Sequence, residues 1–258
     1  MSGIRVKDHS RRLPLAWAFI GAALVLGGCQ SKNASIDPMT TGSTGALSIK
    51  DTAAAGERWK ADPGNVELGL AYAGKLKALG QTDQQLSVLD ALAKKNPQDG
   101  RLLGIYGKEL LMAGRVADAS SVLERAAATG QADWKTYSAL GSAYDQQSRY
   151  GDGRNQYARA LQLQPNEMSV LNNMGMSYAL EGNLAKAEQT LKQASMLPGS
   201  SSEPRIRQNL ALVVGLQGRF EESKQIASQD LPADQVEANL AYLQHMLSQP
   251  NTWQKLKS

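Results

Sequence analysis

Apolar positions recur along most of the chain at spacings of three and four residues, the period of a helix with one buried face. They also recur over a longer interval. Gly80, Gly114, Ser148 and Gly182 are spaced 34 residues apart, and Gly218 follows after 36. A fixed period of this length is typical of an array of stacked units. The pattern therefore predicts a repeated structural unit rather than a single globule.

Three further columns indicate what each unit contains. Four residues before the glycine column stands a large apolar residue: Leu76, Leu110, Tyr144, Tyr178 and Val214. A column of small residues would let two helices approach closely: Ala73, Gly107, Gly141, Gly175 and Ala211. Pro63, Pro97 and Pro165 recur at the unit boundary, where proline cannot continue a helix. Each unit is predicted to be a helix, a turn at the glycine and a second helix, five times over.

The two ends of the array are predicted to be capped by single helices, because terminal repeats have an unpaired face. Residues 51–61 could supply the first cap. The second is predicted between Pro232 and Pro250, with Leu240, Leu243 and Leu247 on one side.

The stretch from Tyr137 to Pro165, YSALGSAYDQQSRYGDGRNQYARALQLQP, resembles the tetratricopeptide repeat. The stretch from Leu171, LNNMGMSYALEGNLAKAEQTLKQA, is similar to it as well. This resemblance implies an all-α superhelical solenoid of about five helix-turn-helix units with capping helices, spanning residues 51–249.

In solenoids of that family the inner groove is lined by the first helices, at the second, fifth, ninth, twelfth and thirteenth places of each unit. The resemblance thus implies a protein-binding groove, which suits an extended or helical peptide with apolar anchors. Its candidate residues are Arg101, Lys108, Leu111, Met112, Lys135, Ser138, Ser142, Gln146, Asn172, Met176, Leu180, Arg205 and Gln208. For any one of them the alternative is a solvated face without a dedicated ligand. The Lys and Asn clamp that some family members use for a terminal carboxylate is not reproduced at Ser138 and Ser142.

Residues 1–28 have the layout of an export signal: four basic residues, an apolar run from Leu13 to Leu26, then two glycines. The run is shorter than the 20 or so apolar residues that a spanning helix needs. An ordinary signal peptide or an uncleaved anchor is the alternative. Without these residues the chain has 24 Lys and Arg against 23 Asp and Glu, so its charge gives no support for nucleic-acid binding.

Leu26, Gly27, Gly28 and Cys29 resemble the lipobox of bacterial lipoproteins, and Cys29 is the only cysteine of the 258 residues. The resemblance implies cleavage before Cys29 and a covalent lipid on its sulfur, with no other cofactor. Gln30 stands where lipoproteins kept in the inner membrane usually have Asp, which favours an outer-membrane, periplasm-facing position. Residues 29–50, rich in Ser, Thr, Gly and Ala, are predicted to be a flexible tether, and residues 250–258 a tail.

Catalytic chemistry finds little support in the sequence. Beyond residue 28 the chain has one histidine, His245, no cysteine besides Cys29 and no His or Cys cluster that could hold zinc. The stretch GRLLGIYGKE lacks the glycine spacing of a phosphate loop, and Glu109 stands where Ser or Thr should follow Lys108. We therefore expect no enzyme activity, no metal and no small-molecule substrate.

The C-terminal stretch from Glu237 to Lys257, EANLAYLQHMLSQPNTWQKLK, together with the lipobox and five repeats, looks like the TadD-type lipoproteins of the tight-adherence (Flp) pilus assembly system. This resemblance implies a lipid-held adaptor that helps the secretin to assemble or to reach the outer membrane and that contacts other pilus assembly components. A generic periplasmic adaptor for envelope or cell-wall assembly proteins and a type IV pilotin are the alternatives. An envelope enzyme with a cryptic site is the weakest class.

Overall fold

The computed structural model describes residues 41–249, with side chains from residue 49 onward. Within this range the chain is all helical, with no strand, which confirms the predicted fold class. The described residues form twelve α-helices in succession: α1 (Thr41–Ala61), α2 (Val66–Ala78), α3 (Thr82–Lys95), α4 (Gly100–Met112), α5 (Val116–Ala128), α6 (Trp134–Gln146), α7 (Tyr150–Leu163), α8 (Met168–Glu181), α9 (Leu184–Ser195), α10 (Pro204–Leu216), α11 (Phe220–Ala227) and α12 (Ala233–Ser248).

Five helix pairs, from α2–α3 to α10–α11, form the predicted repeat units. The two helices of each pair pack against each other, and the second helix of one pair packs on the first helix of the next. The first helices α4, α6, α8 and α10 also contact one another in order. Each unit thus contacts its neighbours in the stack, which is the arrangement expected of a repeat array.

The glycine column forms the turn inside each pair. Gly80, Gly114, Gly182 and Gly218 all have a positive φ, between 71° and 90°, and lie one or two residues after the end of the first helix. Glycine is the residue that adopts this conformation without steric cost. Ser148 takes the same place in the third pair with a φ of 59°, so this turn is strained by its side chain.

A second set of residues spaced 34 apart lies at the N-terminal ends of first helices. Asn65, Asp99 and Asp133 are N-caps, and each accepts a hydrogen bond from a backbone amide three residues ahead. Such caps satisfy amides that the first turn leaves without a partner, and each stabilises a helix by about 1 kcal/mol.

Within a pair, the small column allows the close approach that the sequence predicted. A Cβ at Gly107, Gly141 or Gly175 would lie 2.5, 2.6 or 2.7 Å from the nearest atom of a fully buried side chain on the second helix. Those side chains are Leu123, Tyr157 and Leu191. Core packing, rather than helix propensity, therefore accounts for glycine in the middle of these helices.

The last two pairs are joined differently from the others. The two additional residues of the repeat spacing coincide with a short 3-10 helix, Ser200–Ser202, before α10. Arg207 donates to the carbonyl of Ser200 at 2.9 Å and pairs through Nε with Asp230 at 2.8 Å. The side chains of Arg207 and Asp230 are only 17% and 9% exposed, so this ion pair anchors the insertion to the turn that follows α11.

An ion cluster lies beside it, centred on the Glu188 carboxylate of α9. Lys192, Gln217 and Arg219 donate to this carboxylate at 2.6 to 2.8 Å. Burial by itself would raise the pKa of Glu188, but these hydrogen bonds outweigh it and lower the pKa to about 2. The cluster joins α9 to the turn between α10 and α11.

Three predictions concern the ends of the chain. Helix α1 begins at Thr41, so residues 41–50 of the predicted tether are helical; helix propagation needs only one further hydrogen bond per residue once the packed part has formed. The predicted C-terminal cap is present as α12, in which Leu243 is buried and Leu240 and Leu247 are half-buried. The signal peptide, Cys29 and residues 250–258 lie outside the described residues.

Candidate protein-binding groove

The candidate groove residues are carried by the first helices α4, α6, α8 and α10. On α4, Arg101, Lys108 and Met112 are seven and four residues apart and therefore share one face. Met112 is 65% exposed, and Arg101 pairs with Glu67 of α2. Leu111 is half-buried and packs against the core on both sides of α4.

Helix α6 contributes two exposed and two covered candidates. Lys135 is exposed, with its Nζ 5.4 Å from the centre of the Trp134 ring, and Gln146 is exposed at the other end of the helix. Ser138 is only 8% exposed. The Ser142 hydroxyl is 3.2 Å from both the Ser138 carbonyl and the Tyr157 hydroxyl. The two serines thus belong to the packing between α6 and α7.

Helices α8 and α10 likewise carry both exposed and covered candidates. Leu180 is 54% exposed at the end of α8, whereas Met176 is half-buried in the core between α8 and α10. Asn172 is 6% exposed, and its side-chain oxygen Oδ1 accepts a hydrogen bond from Asn209 Nδ2 at 2.7 Å. On α10, Arg205 is exposed and Gln208 is half-buried.

The thirteen candidates therefore do not form one continuous accessible surface. Six are exposed: Arg101, Met112, Lys135, Gln146, Leu180 and Arg205. Five are half-buried: Lys108, Leu111, Ser142, Met176 and Gln208. Burial removes Ser138 and Asn172 from the surface that a partner could contact, because close packing of adjacent units covers the fifth place of α6 and α8.

Sequence reasoning missed a buried polar cluster beneath this face. The Asp145 carboxylate of α6 accepts from Ser177 of α8 at 2.7 Å and from Tyr157 of α7 at 2.8 Å. Burial raises the pKa of Asp145, although both hydrogen bonds act to lower it. The cluster ties three helices together. Asp145 stands in a column that is otherwise Lys77, Leu111 and Ala179, so the repeat pattern gave no signal for it.

Positive charge lies between α4 and α6. Asp133 caps α6, accepting from the backbone amide of Thr136 at 2.7 Å and from its hydroxyl at 2.6 Å. Burial by itself would raise the pKa of Asp133, but these hydrogen bonds and the charges of Lys108 and Lys135 lower it. The positive charges of both lysines thus act on the same carboxylate.

A cavity of about 620 Å³ lies outside this face, between α7 and α8. Its walls include the Tyr178 ring, which has the Arg154 guanidinium carbon 4.5 Å from its centre and Lys186 Nζ at 5.5 Å. Arg154 is already paired with Glu181 at 2.9 Å. The cavity is therefore lined by charges that neutralise each other.

Residues 41–249 contain neither a metal-binding cluster nor a membrane-spanning helix. In this part of the chain, no group of three or more His, Cys, Asp and Glu side chains is placed to hold a metal ion. Nor does any helix described here combine the length and the apolar character needed to cross a bilayer.

Comparison with known proteins supports the repeat assignment. Residues 138–201 match the family model described as tetratricopeptide repeat. A curated relative, the BBSome complex member BBS4 of Mus musculus, is 27% identical over 115 residues. That match covers 45% of this chain and spans 22% of the mouse protein.

Solved structures are similar to the chain at the level of the fold. YrrB, a tetratricopeptide-repeat protein with an unusual peptide-binding site, aligns with a TM-score of 0.56 and 14% identity, over 77% of this chain and all of YrrB. MamA aligns with a TM-score of 0.53 and 21% identity, over 62% of this chain and 94% of MamA. The described residues therefore have the fold of a tetratricopeptide-repeat solenoid, and residues 138–201 match the model of that repeat.

Proposed function

We propose that this protein is a non-enzymatic, lipid-anchored scaffold that binds protein partners through the face of its first helices. The observation that carries the proposal is the pair of exposed apolar side chains, Met112 and Leu180, at the same place two repeats apart. Exposed apolar side chains that recur in register on the first helices of an array fit a docking surface. Repeat arrays commonly use extended surfaces of this kind for binding.

The anchor is proposed from the N-terminal sequence. A thioether-linked lipid on Cys29 would hold the solenoid at the outer membrane, facing the periplasm, since several acyl chains give lasting attachment where one is marginal. The proposal predicts that Cys29→Ser leaves a folded protein that no longer partitions into a detergent phase. Recovery of that variant in the outer membrane in wild-type amount would contradict lipid attachment.

The biological setting that fits best is assembly of the tight-adherence (Flp) pilus, with the secretin and other assembly components as partners. The support is the resemblance of the lipobox, the repeats and the C-terminal stretch to the TadD-type lipoproteins. A periplasmic adaptor for other envelope assembly proteins, or a type IV pilotin, is the alternative and would have the same anchor and fold.

The test compares groove and control variants in cells that carry the pilus system. Met112→Glu with Leu180→Glu places two charges on the proposed surface. Leu163→Glu with Met196→Glu makes the same change at apolar side chains that are 54% and 79% exposed but lie on α7 and just after α9. We expect the first pair to lower co-purification of the secretin and its multimers in the outer membrane at least fivefold, and the second pair to have no effect. Equal behaviour of the two pairs would refute the proposed surface, and a deletion strain with normal secretin and pili would refute the pilus assignment.

A further inference from the structure

Two neighbouring junctions of the array, at which the second helix of one unit meets the first helix of the next, carry a tyrosine at the same place. Tyr144 of α6 and Tyr178 of α8 are 34 residues apart, each near the end of its helix. The Tyr144 hydroxyl donates to the Glu124 carboxylate of α5, in the preceding unit, at 2.8 Å. At this junction a glutamate of the chain itself therefore satisfies the tyrosine.

The next junction lacks the corresponding carboxylate. Ala158 of α7 stands 34 residues after Glu124, and its side chain has no acceptor. Among the residues that the structure describes, none accepts a hydrogen bond from the Tyr178 hydroxyl. Tyr144 is only 7% exposed, whereas Tyr178 is half-buried. The Tyr178 hydroxyl is thus available to an acceptor from outside the array.

This difference coincides with the cavity between α7 and α8. Ala158 and Tyr178 both line it, together with Asn155 and Met174. Ala158 is exposed, so the cavity is open to solvent. Its volume of about 620 Å³ lies within the usual range of ligand sites, about 300–1,000 Å³. A side chain of another molecule can therefore enter at the place that corresponds to Glu124.

The charges around the Tyr178 ring favour an anionic acceptor. The Arg154 guanidinium carbon and Lys186 Nζ lie 4.5 and 5.5 Å from the centre of the ring. Glu181 pairs with Arg154 at 2.9 Å and neutralises one of these two positive charges. Arg154 Nη1 is buried without a hydrogen-bond partner, so the guanidinium is not fully paired. Hydrogen bonds to an ionised acceptor are about twice as strong as neutral ones, and nearby positive charge favours that acceptor further.

From this arrangement we infer that the cavity is a second binding site, which takes a glutamate side chain of a protein partner. The partner's carboxylate accepts from the Tyr178 hydroxyl as Glu124 accepts from Tyr144, and its methylene groups contact Met174. The basis is the array's own use of glutamate for the same tyrosine one unit earlier, together with charge complementarity. The site lies outside the face of the first helices and does not depend on the proposed binding surface.

The test measures the binding of capped amino acids to the full chain in mild detergent. The probes are N-acetyl-L-glutamate α-amide, its neutral counterpart N-acetyl-L-glutamine amide, and acetate as a free acid. The methionine methyl groups carry an isotope label, and the NMR signal of Met174, identified with Met174→Leu, reports occupancy of the cavity. We expect the glutamate probe to bind with a Kd at least fivefold lower than the Kd of either other probe.

Two substitutions in the cavity wall should remove this binding. Tyr178→Phe deletes the hydroxyl and should raise the Kd of the glutamate probe at least fivefold. Ala158→Glu restores the arrangement of the preceding junction, so its own carboxylate should exclude the probe. The matched control is Tyr144→Phe, which should leave the Kd unchanged because the Tyr144 hydroxyl is already bonded to Glu124. Circular dichroism verifies that all three variants are folded.

Several results would overturn the inference. Equal Kd values for the glutamate and glutamine probes would show that the site does not recognise a carboxylate. An unchanged Kd in Tyr178→Phe, or no binding of any probe to the wild type, would also refute it. Acetate that binds as tightly as the glutamate probe would assign the cavity to free organic acids instead of a partner's side chain. Met112→Glu alters the proposed binding surface on α4 and should leave this Kd unchanged, so the two proposals can fail separately.

Discussion

Gly153 is the position at which one added methyl group should be most informative. It lies in α7 and is buried against α6. A Cβ at this position would lie 2.5 Å from Asp145 Oδ1 and 3.0 Å from the backbone oxygen of Gly141. The backbone oxygen cannot move without shifting α6. The carboxylate cannot move without weakening its hydrogen bonds with Ser177 and Tyr157. Neither contact can therefore be relieved cheaply.

The expected loss of stability for Gly153→Ala follows from two costs and one gain. Overpacking of a well-packed core costs about 1–3 kcal/mol, and weakening a hydrogen bond to a buried carboxylate costs about 1.5 kcal/mol or more. Alanine in place of glycine in a helix stabilises the helix by about 1 kcal/mol. We therefore expect a net loss of about 2 kcal/mol in the free energy of unfolding, measured as a decrease of roughly 1 M in the urea midpoint followed by circular dichroism.

The chain offers a matched control in the same helix. Gly151 lies two residues earlier, and a Cβ there would meet nothing within 4 Å. Gly151→Ala should therefore raise the urea midpoint or leave it unchanged, since only the helix propensity changes, by up to about 1 kcal/mol. If Gly153→Ala were as stable as the wild type while Gly151→Ala behaved as expected, the close contact with Asp145 would not restrict this position.

Three further predictions concern charge and backbone strain. The pKa of Glu188 is about 2 in the folded chain against an ordinary 4.5, so its contribution to the free energy of unfolding is complete above the ordinary pKa and is lost as pH falls toward 2. After a discount for screening at the partly exposed Arg219, Glu188→Gln should lower the free energy of unfolding by about 1–2 kcal/mol at pH 7. The variant should also show a weaker dependence of that free energy on pH between pH 5 and 2; an unchanged dependence would contradict the ion cluster. Arg207→Met leaves Asp230 buried without its partner and should cost about 3 kcal/mol, with part of the loss recovered by adding Asp230→Asn; a double variant no more stable than the single one would contradict the pairing. Ser148→Gly removes a side chain from a left-handed turn and should raise thermal stability by about 1 kcal/mol; a lower melting temperature would mean that the serine side chain stabilises its turn.

The repeat pattern predicted the architecture because the residue type in each column is set by a local structural requirement. Glycine at 80, 114, 182 and 218 is favoured by a left-handed backbone, and glycine at 107, 141 and 175 by a large side chain that packs on the facing helix. Both needs recur at every unit, so they can be recognised as a period in the sequence. The same holds for the N-caps at Asn65, Asp99 and Asp133, whose period the columns considered above did not include.

The accessible part of the groove could not be predicted in the same way. Ser138 and Asn172 stand at the fifth place of their units, which the repeat pattern assigns to the groove, and the structure buries both. Met112 and Leu180 share the thirteenth place and are exposed. Exposure at each place depends on how closely the next first helix approaches, and the residues that set this distance belong to another unit.

The sequence by itself determined that paired helices stack with a 34-residue period, since helical periodicity, turn glycines and packing glycines are each local properties of a repeated unit. It also predicts a lipid anchor from residues 24–29, which lie outside the described residues. Only the tertiary structure decided that Asp145 is half-buried among three helices and that Glu188 accepts hydrogen bonds from three donors. These features join side chains from different helices, and the charge on each depends on burial and distance, which a sequence column does not contain.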